Sequence, residues 1–114
     1  MDKRVLENLS WLQKRLNVCK AVANSTRLRL LDLLRDGEKC VCELLPYLDM
    51  EQSNVSQHLN ILKNAGIVVS HRKGQHVLYN VRNDKIFDVM DALDSLLVDE
   101  LEEASELLKN IENR

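Results

Sequence analysis

Residues 52–65, QSNVSQHLNILKNA, put Val55, Leu59 and Leu62 on one side of a helix and Ser53, Gln57 and Asn60 on the other. Residues 41–48 before them have room only for a short helix, and Asp49-Met50-Glu51 leaves a link of three residues. Two helices joined by so short a turn read as a helix-turn-helix over residues 41–65, ended by Gly66.

The flanks fit that reading. After Gly66, IVVSHRKGQHVLYNV pairs a β-branched run with an alternating one, Val77, Tyr79 and Val81, across a turn at Lys73-Gly74-Gln75. That pattern predicts a β-hairpin over residues 67–82. Upstream, Leu28, Leu30, Leu31, Leu33 and Leu34 cover most of the circumference of a helix over residues 25–36. This helix is expected at the centre of the core, with Ser25 as N-cap and Gly37 as C-terminal stop. Val5, Leu9, Leu12 and Leu16 mark an amphipathic helix over residues 3–17, and residues 18–23 a second helical stretch before Asn24-Ser25. At the other end, Ile86, Val89, Met90, Leu93, Leu97, Leu101, Ala104, Leu108 and Ile111 share one face of a long helix over residues 84–112, with Val98 as the place for a break. The expected fold is mainly α with one small hairpin, a winged helix-turn-helix domain over residues 1–114 with added terminal helices for dimerisation.

The net charge of −2 hides an asymmetry. Residues 1–83 hold 13 Lys/Arg against 8 Asp/Glu, whereas residues 84–114 hold 3 against 10. Only the first part is suited to face an anion. No apolar run approaches a membrane span, and MDKRVLENLSW is too charged for a signal peptide, so the expected address is the cytoplasm with no membrane partner.

NSTRLRLLDLLRDGEKCVCEL, SNVSQHLNILKNAGIV and RKGQHVLYNV resemble, in order, the successive signatures of the ArsR/SmtB family of metal- and thiol-sensing repressors. The resemblance covers nearly the whole chain. It implies a homodimer, not an enzyme, that places two recognition helices on a pseudo-palindromic double-stranded DNA operator about one helical turn apart. The candidate DNA-binding residues are Gln52, Ser53, Asn54, Ser56, Gln57, Asn60 and Lys63 on the helix and Arg72, Lys73 and His76 on the wing. Gln and Asn can bond adenine edges bidentately, Ser can reach bases or phosphate, and basic groups on a projecting loop suit phosphate. Taken singly, such residues also suit an ordinary solvated face. Glu51 departs from the family pattern, since its carboxylate faces phosphate unless it caps the helix. His58, in VSQHL, reads as a structural residue bonding backbone across the turn.

Cys40 and Cys42 are the second constellation. On a regular helix residues two apart diverge by about 200°, so both sulfurs converge only if the helix has barely begun. Gly37 before them and Pro46, which cannot donate to the Cys42 carbonyl, make such a loose entry. In the resembled family CVC followed by an acidic residue is the metal-sensing motif of arsenite, cadmium and lead sensors. The resemblance therefore implies Cys40 and Cys42 as ligands, with no cofactor required and arsenite, antimonite, Cd, Pb or Zn as inducer. Leu45 occupies the place of a third family cysteine, which leaves Cys19 either as a substitute third ligand or as a small buried hydrophobe. Three cysteines without a secretion signal are expected to stay reduced, and a direct Cys40–Cys42 disulfide would close a small strained ring. The alternatives on the same residues are a thiol redox or persulfide-sensing repressor and, in another class, a small dithiol metal carrier. A helical interaction module acting through its acidic C-terminal helix is the remaining rival. Residues 84–114 contain no histidine, so a metal site on that helix is not expected.

Overall fold

In a computed structural model that describes residues 3–4 and 8–113, helix α1 spans Leu9–Val22. The Asn8 side chain starts it by accepting a hydrogen bond from the Ser10 N–H at 2.8 Å. Over residues 9–22 one helix runs through the boundary expected between residues 17 and 18, and residues 3–4 are also helical. Nothing near residue 17 interrupts the backbone ladder, and Gln13 Nε2 donates to Asn17 Oδ1 at 2.9 Å across one turn. Of the expected apolar stripe, Val5 lies outside the described residues, and Leu9, Leu12 and Leu16 are exposed in the single chain.

Helix α2, Ser25–Leu33, is capped by Asn24 rather than Ser25. Asn24 is extended, with φ −157° and ψ 134°, and its Oδ1 accepts from the Arg27 N–H at 3.1 Å. The regular helix stops at Leu33, earlier than the expected residue 36. Leu34 and Arg35 bond back by three residues, to Leu31 and Asp32, which tightens the chain into a turn that leads to Gly37 at φ 127°. Leu30, Leu31 and Leu34 are fully buried, so α2 is central as expected.

A two-residue strand β1, Lys39–Cys40, then precedes the short helix α3, Val41–Leu44, and a 3₁₀ turn, Leu45–Tyr47. Pro46 has no N–H to extend the α ladder, which accounts for the change of helix type. After the link comes α4, Gln52–Asn64, and then β2, Val68–Lys73, and β3, His76–Val81. The sheet is antiparallel in the order β1-β3-β2. Its register sets Cys40 opposite Leu78 and Lys73 opposite His76. Strand β1 is absent from the sequence expectation.

The core of this unit joins α2 and α4 to the sheet through Leu44, Val55, Leu59, Leu62 and Val68, all essentially without solvent contact. Each such side chain contributes roughly 1.5–3 kcal/mol of burial energy. The architecture is a winged helix-turn-helix.

The chain divides into two compact units, Met1–Asn83 and Asp84–Arg114. The second consists of helix α5, Lys85–Glu112, which runs through Val98 without a break. Leu93, Leu97, Leu101, Leu108 and Ile111 lie exposed along it. Among the described residues no helix is long and apolar enough to cross a membrane.

Candidate nucleic-acid interface and thiol cluster

Helix α4 presents its polar face because its apolar face is consumed by the core. Val55, Leu59 and Leu62 are each 0% exposed, which turns Ser53, Gln57 and Asn60 outward. Gln52, Asn54 and Lys63 are exposed as well, and Ser56 is half-buried. Glu51 sits at the N-cap in extended conformation, φ −78° and ψ 156°, and its carbonyl accepts from Asn54 and Val55. Its carboxylate makes no capping bond and remains exposed at the start of α4. Lys63 Nζ donates to Ser70 Oγ at 2.7 Å, so this ammonium is tied to the wing.

His58 is held by a side chain rather than by backbone across the turn. Its Nδ1 lies 3.1 Å from Arg27 Nη1. A guanidinium can only donate, so Nδ1 is the acceptor in this contact. The same Arg27 donates through Nε to the Ala21 carbonyl and through Nη2 to the Lys20 carbonyl at 3.5 Å. One side chain thereby joins the end of α1, the start of α2 and the middle of α4. Sequence reasoning passed over Arg27, and its position three residues after the Asn24 cap is the local signal that could have found it.

In the wing, Gly74 at φ 64° opens a two-residue loop whose first position requires a left-handed backbone. The Lys73–His76 pair closes that loop, and Arg72, Lys73 and His76 are all exposed. His71 Nε2 lies 3.3 Å from Glu38 Oε2, which connects β2 to the segment before β1.

Cys40 and Cys42 are joined by a disulfide, with their Cα atoms 5.2 Å apart, and this corrects the expectation of two reduced thiols. The objection to such a bond was the strain of a small ring. Cys40 is the last residue of β1 and the N-cap of α3, extended at φ −80° and ψ 165°, so the chain turns between the two residues. The separation then falls in the ordinary disulfide range. Glu43 stabilises the entry by accepting the Cys40 N–H on Oε1 at 3.1 Å.

Cys19 is not buried: it is a free thiol, exposed on α1. The group that does reach the pair is His76. Among the described residues, one ligand atom each from Cys40, Cys42 and His76 lies within 4.8 Å of the others. Antiparallel pairing explains the juxtaposition, because the register that puts Cys40 opposite Leu78 carries Cys42 toward His76. A cleft of about 270 Å³ opens there, lined by Cys40, Cys42, His76, Tyr79, Gln52 and Ser56. His76 was expected only as a DNA contact, to phosphate or the adjacent minor groove, and without β1 the sequence offers no signal placing it near the cysteines.

Comparison with known proteins supplies the remaining observations. Residues 24–70 match the family described as bacterial regulatory protein, arsR family. The transcriptional repressor SdpR of Bacillus subtilis is 36% identical over 72 residues, which cover 63% of this chain and 80% of that one. The arsenic resistance transcriptional regulator ArsR1 of Pseudomonas putida is 46% identical over 65 residues, 56% of this chain and 51% of that one. Among solved structures, the homodimeric winged helix-turn-helix DNA-binding domain of a possible ArsR-family transcriptional regulator from Mycobacterium bovis superposes with TM-score 0.76 at 27% identity, covering 90% of this chain and 93% of that one.

Proposed function

The chain belongs to the arsR family of bacterial regulatory proteins, and from that premise we propose that two copies of it repress transcription by occupying an operator until Cys40 and Cys42 bind a soft ion. The observation that carries the reading is the polar face of α4, exposed beside a basic wing tip in a winged helix-turn-helix. Gln57, Asn60 and Ser53 are the groups for base edges, and Arg72 and Lys73 those for phosphate. Exposed Leu9, Leu12 and Leu16 on α1 and the apolar stripe of α5 are faces that a second copy would cover. The homodimeric M. bovis neighbour supports that assembly.

Release follows from linkage. An ion that lowers the affinity for DNA binds the DNA-bound form correspondingly less well. The thiols lie at the entrance of α3, the first helix of the motif, so the path from ligand to recognition helix is short. Thiolates select thiophilic ions, which makes arsenite, antimonite and heavy divalent metals the inducer candidates. The observed disulfide favours a second reading, in which oxidation of the same two thiols is the signal.

Selection of duplexes from a random-sequence pool by the reduced protein tests the DNA-binding half of this reading. Enrichment of a pseudo-palindrome is expected, with affinity that falls steeply with salt and a log–log slope that flattens by about 1 in Lys73→Ala. Failure to enrich any duplex contradicts it.

A further inference from the structure

We propose that Cys40, Cys42 and His76 form a three-ligand site for a divalent ion of the zinc and cadmium class, built from the corner that joins β1, α3 and the wing. The proposal rests on the reading above and names the ligand chemistry of its thiol site. It also assigns His76, rather than Cys19, as the third donor.

The geometry is close to what such an ion needs. Ligand atoms around a tetrahedral zinc, at about 2.3 Å for sulfur and 2.0 Å for nitrogen, stand roughly 3.5–3.8 Å from one another. The His76 ring nitrogen already lies within 4.8 Å of both sulfurs, so it closes by about an ångström, while the two sulfurs, bonded to each other in the disulfide, move apart to the ligand spacing once that bond is reduced. Cys40 is buried while Cys42 and His76 are exposed, which leaves an open side for water as a fourth ligand. The Glu43 carboxylate is engaged by the Cys40 N–H and is not needed.

The donor set also discriminates among inducers. Imidazole suits zinc and its neighbours, whereas trivalent arsenic and antimony are satisfied by thiolates alone. Two thiolates neutralise a divalent cation, and a neutral imidazole completes the site without adding charge. An ion held here therefore gains from His76, and arsenite does not.

The chemistry balances through a thiol reductant. Two reductant thiols transfer two electrons and two protons to the Cys40–Cys42 bond, giving two protein thiols and one reductant disulfide. The ion then displaces one proton from each thiol, two in all, and takes His76 through a ring nitrogen that carries none. Bound in this way, His76 is withdrawn from the wing surface, and the ion stands in the cleft lined by Gln52 and Ser56 of α4. Coordination and DNA contact compete for the same side chain.

The test is Cd(II) titration of the full chain, reduced with a phosphine and exchanged into anaerobic buffer, without DNA. Affinity is read from the ultraviolet thiolate-to-cadmium absorption and from the imidazole nitrogen shifts of His76. His76→Gln is expected to weaken Cd(II) binding at least about tenfold, since even outer-shell changes cost 10–100-fold. Cys19→Ser is expected to match wild type, and arsenite affinity to be unchanged by His76→Gln. Circular dichroism of the apo variants shows that they are folded. Wild-type Cd(II) affinity in folded His76→Gln, or unshifted His76 nitrogens, overturns the assignment. In parallel, Cd(II)-driven release from a selected duplex separates the two failures. Equal release by wild type and His76→Gln, with none in Cys42→Ser, leaves the thiol switch standing and removes only His76.

Discussion

The buried side of α4 and the corner where β1 meets β3 both fix elements of the winged helix-turn-helix, but by different physics. The α4 side is a continuous apolar contact, with Val55, Leu59 and Leu62 excluded from solvent. The corner is a small set of directional links: two strand pairs, a cystine, the Glu43 cap and the His71–Glu38 contact. Apolar packing sets which way the recognition helix faces and tolerates little change. Directional links can be opened one at a time without dissolving the core, which is the property a switch requires.

That contrast is open to measurement. The largest effect is expected for Leu59→Ala, which leaves a cavity under α4 and should lower unfolding stability by about 2–5 kcal/mol in chemical denaturation. A loss below about 1 kcal/mol would show that the α4 face does not behave as packed core. Arg27→Ala comes next. It removes the links from α1 and α2 to His58, at an expected cost of about 1–3 kcal/mol. Amide exchange should accelerate at the end of α1 and around His58 while the Leu59 region stays protected. Uniform acceleration would mean that Arg27 supports the whole core.

Reducing the Cys40–Cys42 bond should cost less again. Its loop is very short, and chain entropy for such a loop gives about 1–2 kcal/mol. Comparison of denaturation midpoints with and without a phosphine checks this, and a loss as large as that of Leu59→Ala would contradict the separation of core from corner. The smallest effect is expected at Asp36, where the Lys39 ammonium hydrogen-bonds the carboxylate and holds its pKa below the ordinary value. A depressed carboxyl pKa contributes stability that is present above its unfolded value and lost as pH falls through the folded one. The small difference between wild type and Asp36→Asn should therefore stay constant from neutral pH down to about 5 and shrink only below about 4. A difference that changes near neutrality would point to another titrating group.

The same contrast explains what could be read from the chain alone. Helical periodicity makes Val55, Leu59 and Leu62 a face in the sequence, and Gly66 and Gly74 mark where the helix and hairpin must turn. The wing and the helix-turn-helix follow from those signals. Strand β1 is only two residues long, too short to show alternation, and its partner lies about 40 residues away in β3. Everything that depends on β1 was therefore hidden, including the convergence of His76 on the cysteines. Cys19 misled for the opposite reason: apolar neighbours at Val18, Ala21 and Val22 imply burial, but only Ala21 lies on the inward face of α1. For Arg27 the Asn24 cap marks the position, but the role was not legible because its partners, Ala21 and His58, come from two other elements.

The central claim is that the thiol pair governs occupancy of DNA by α4 and the wing. Fluorescence anisotropy of a selected duplex bound to the reduced protein, titrated with Cd(II), arsenite and a disulfide oxidant, tests it most directly. The account predicts release of wild type by at least one of these and no release of Cys42→Ser, with equal duplex affinity before titration. Identical release of wild type and Cys42→Ser, or retention of the duplex by wild type under all three, would contradict it.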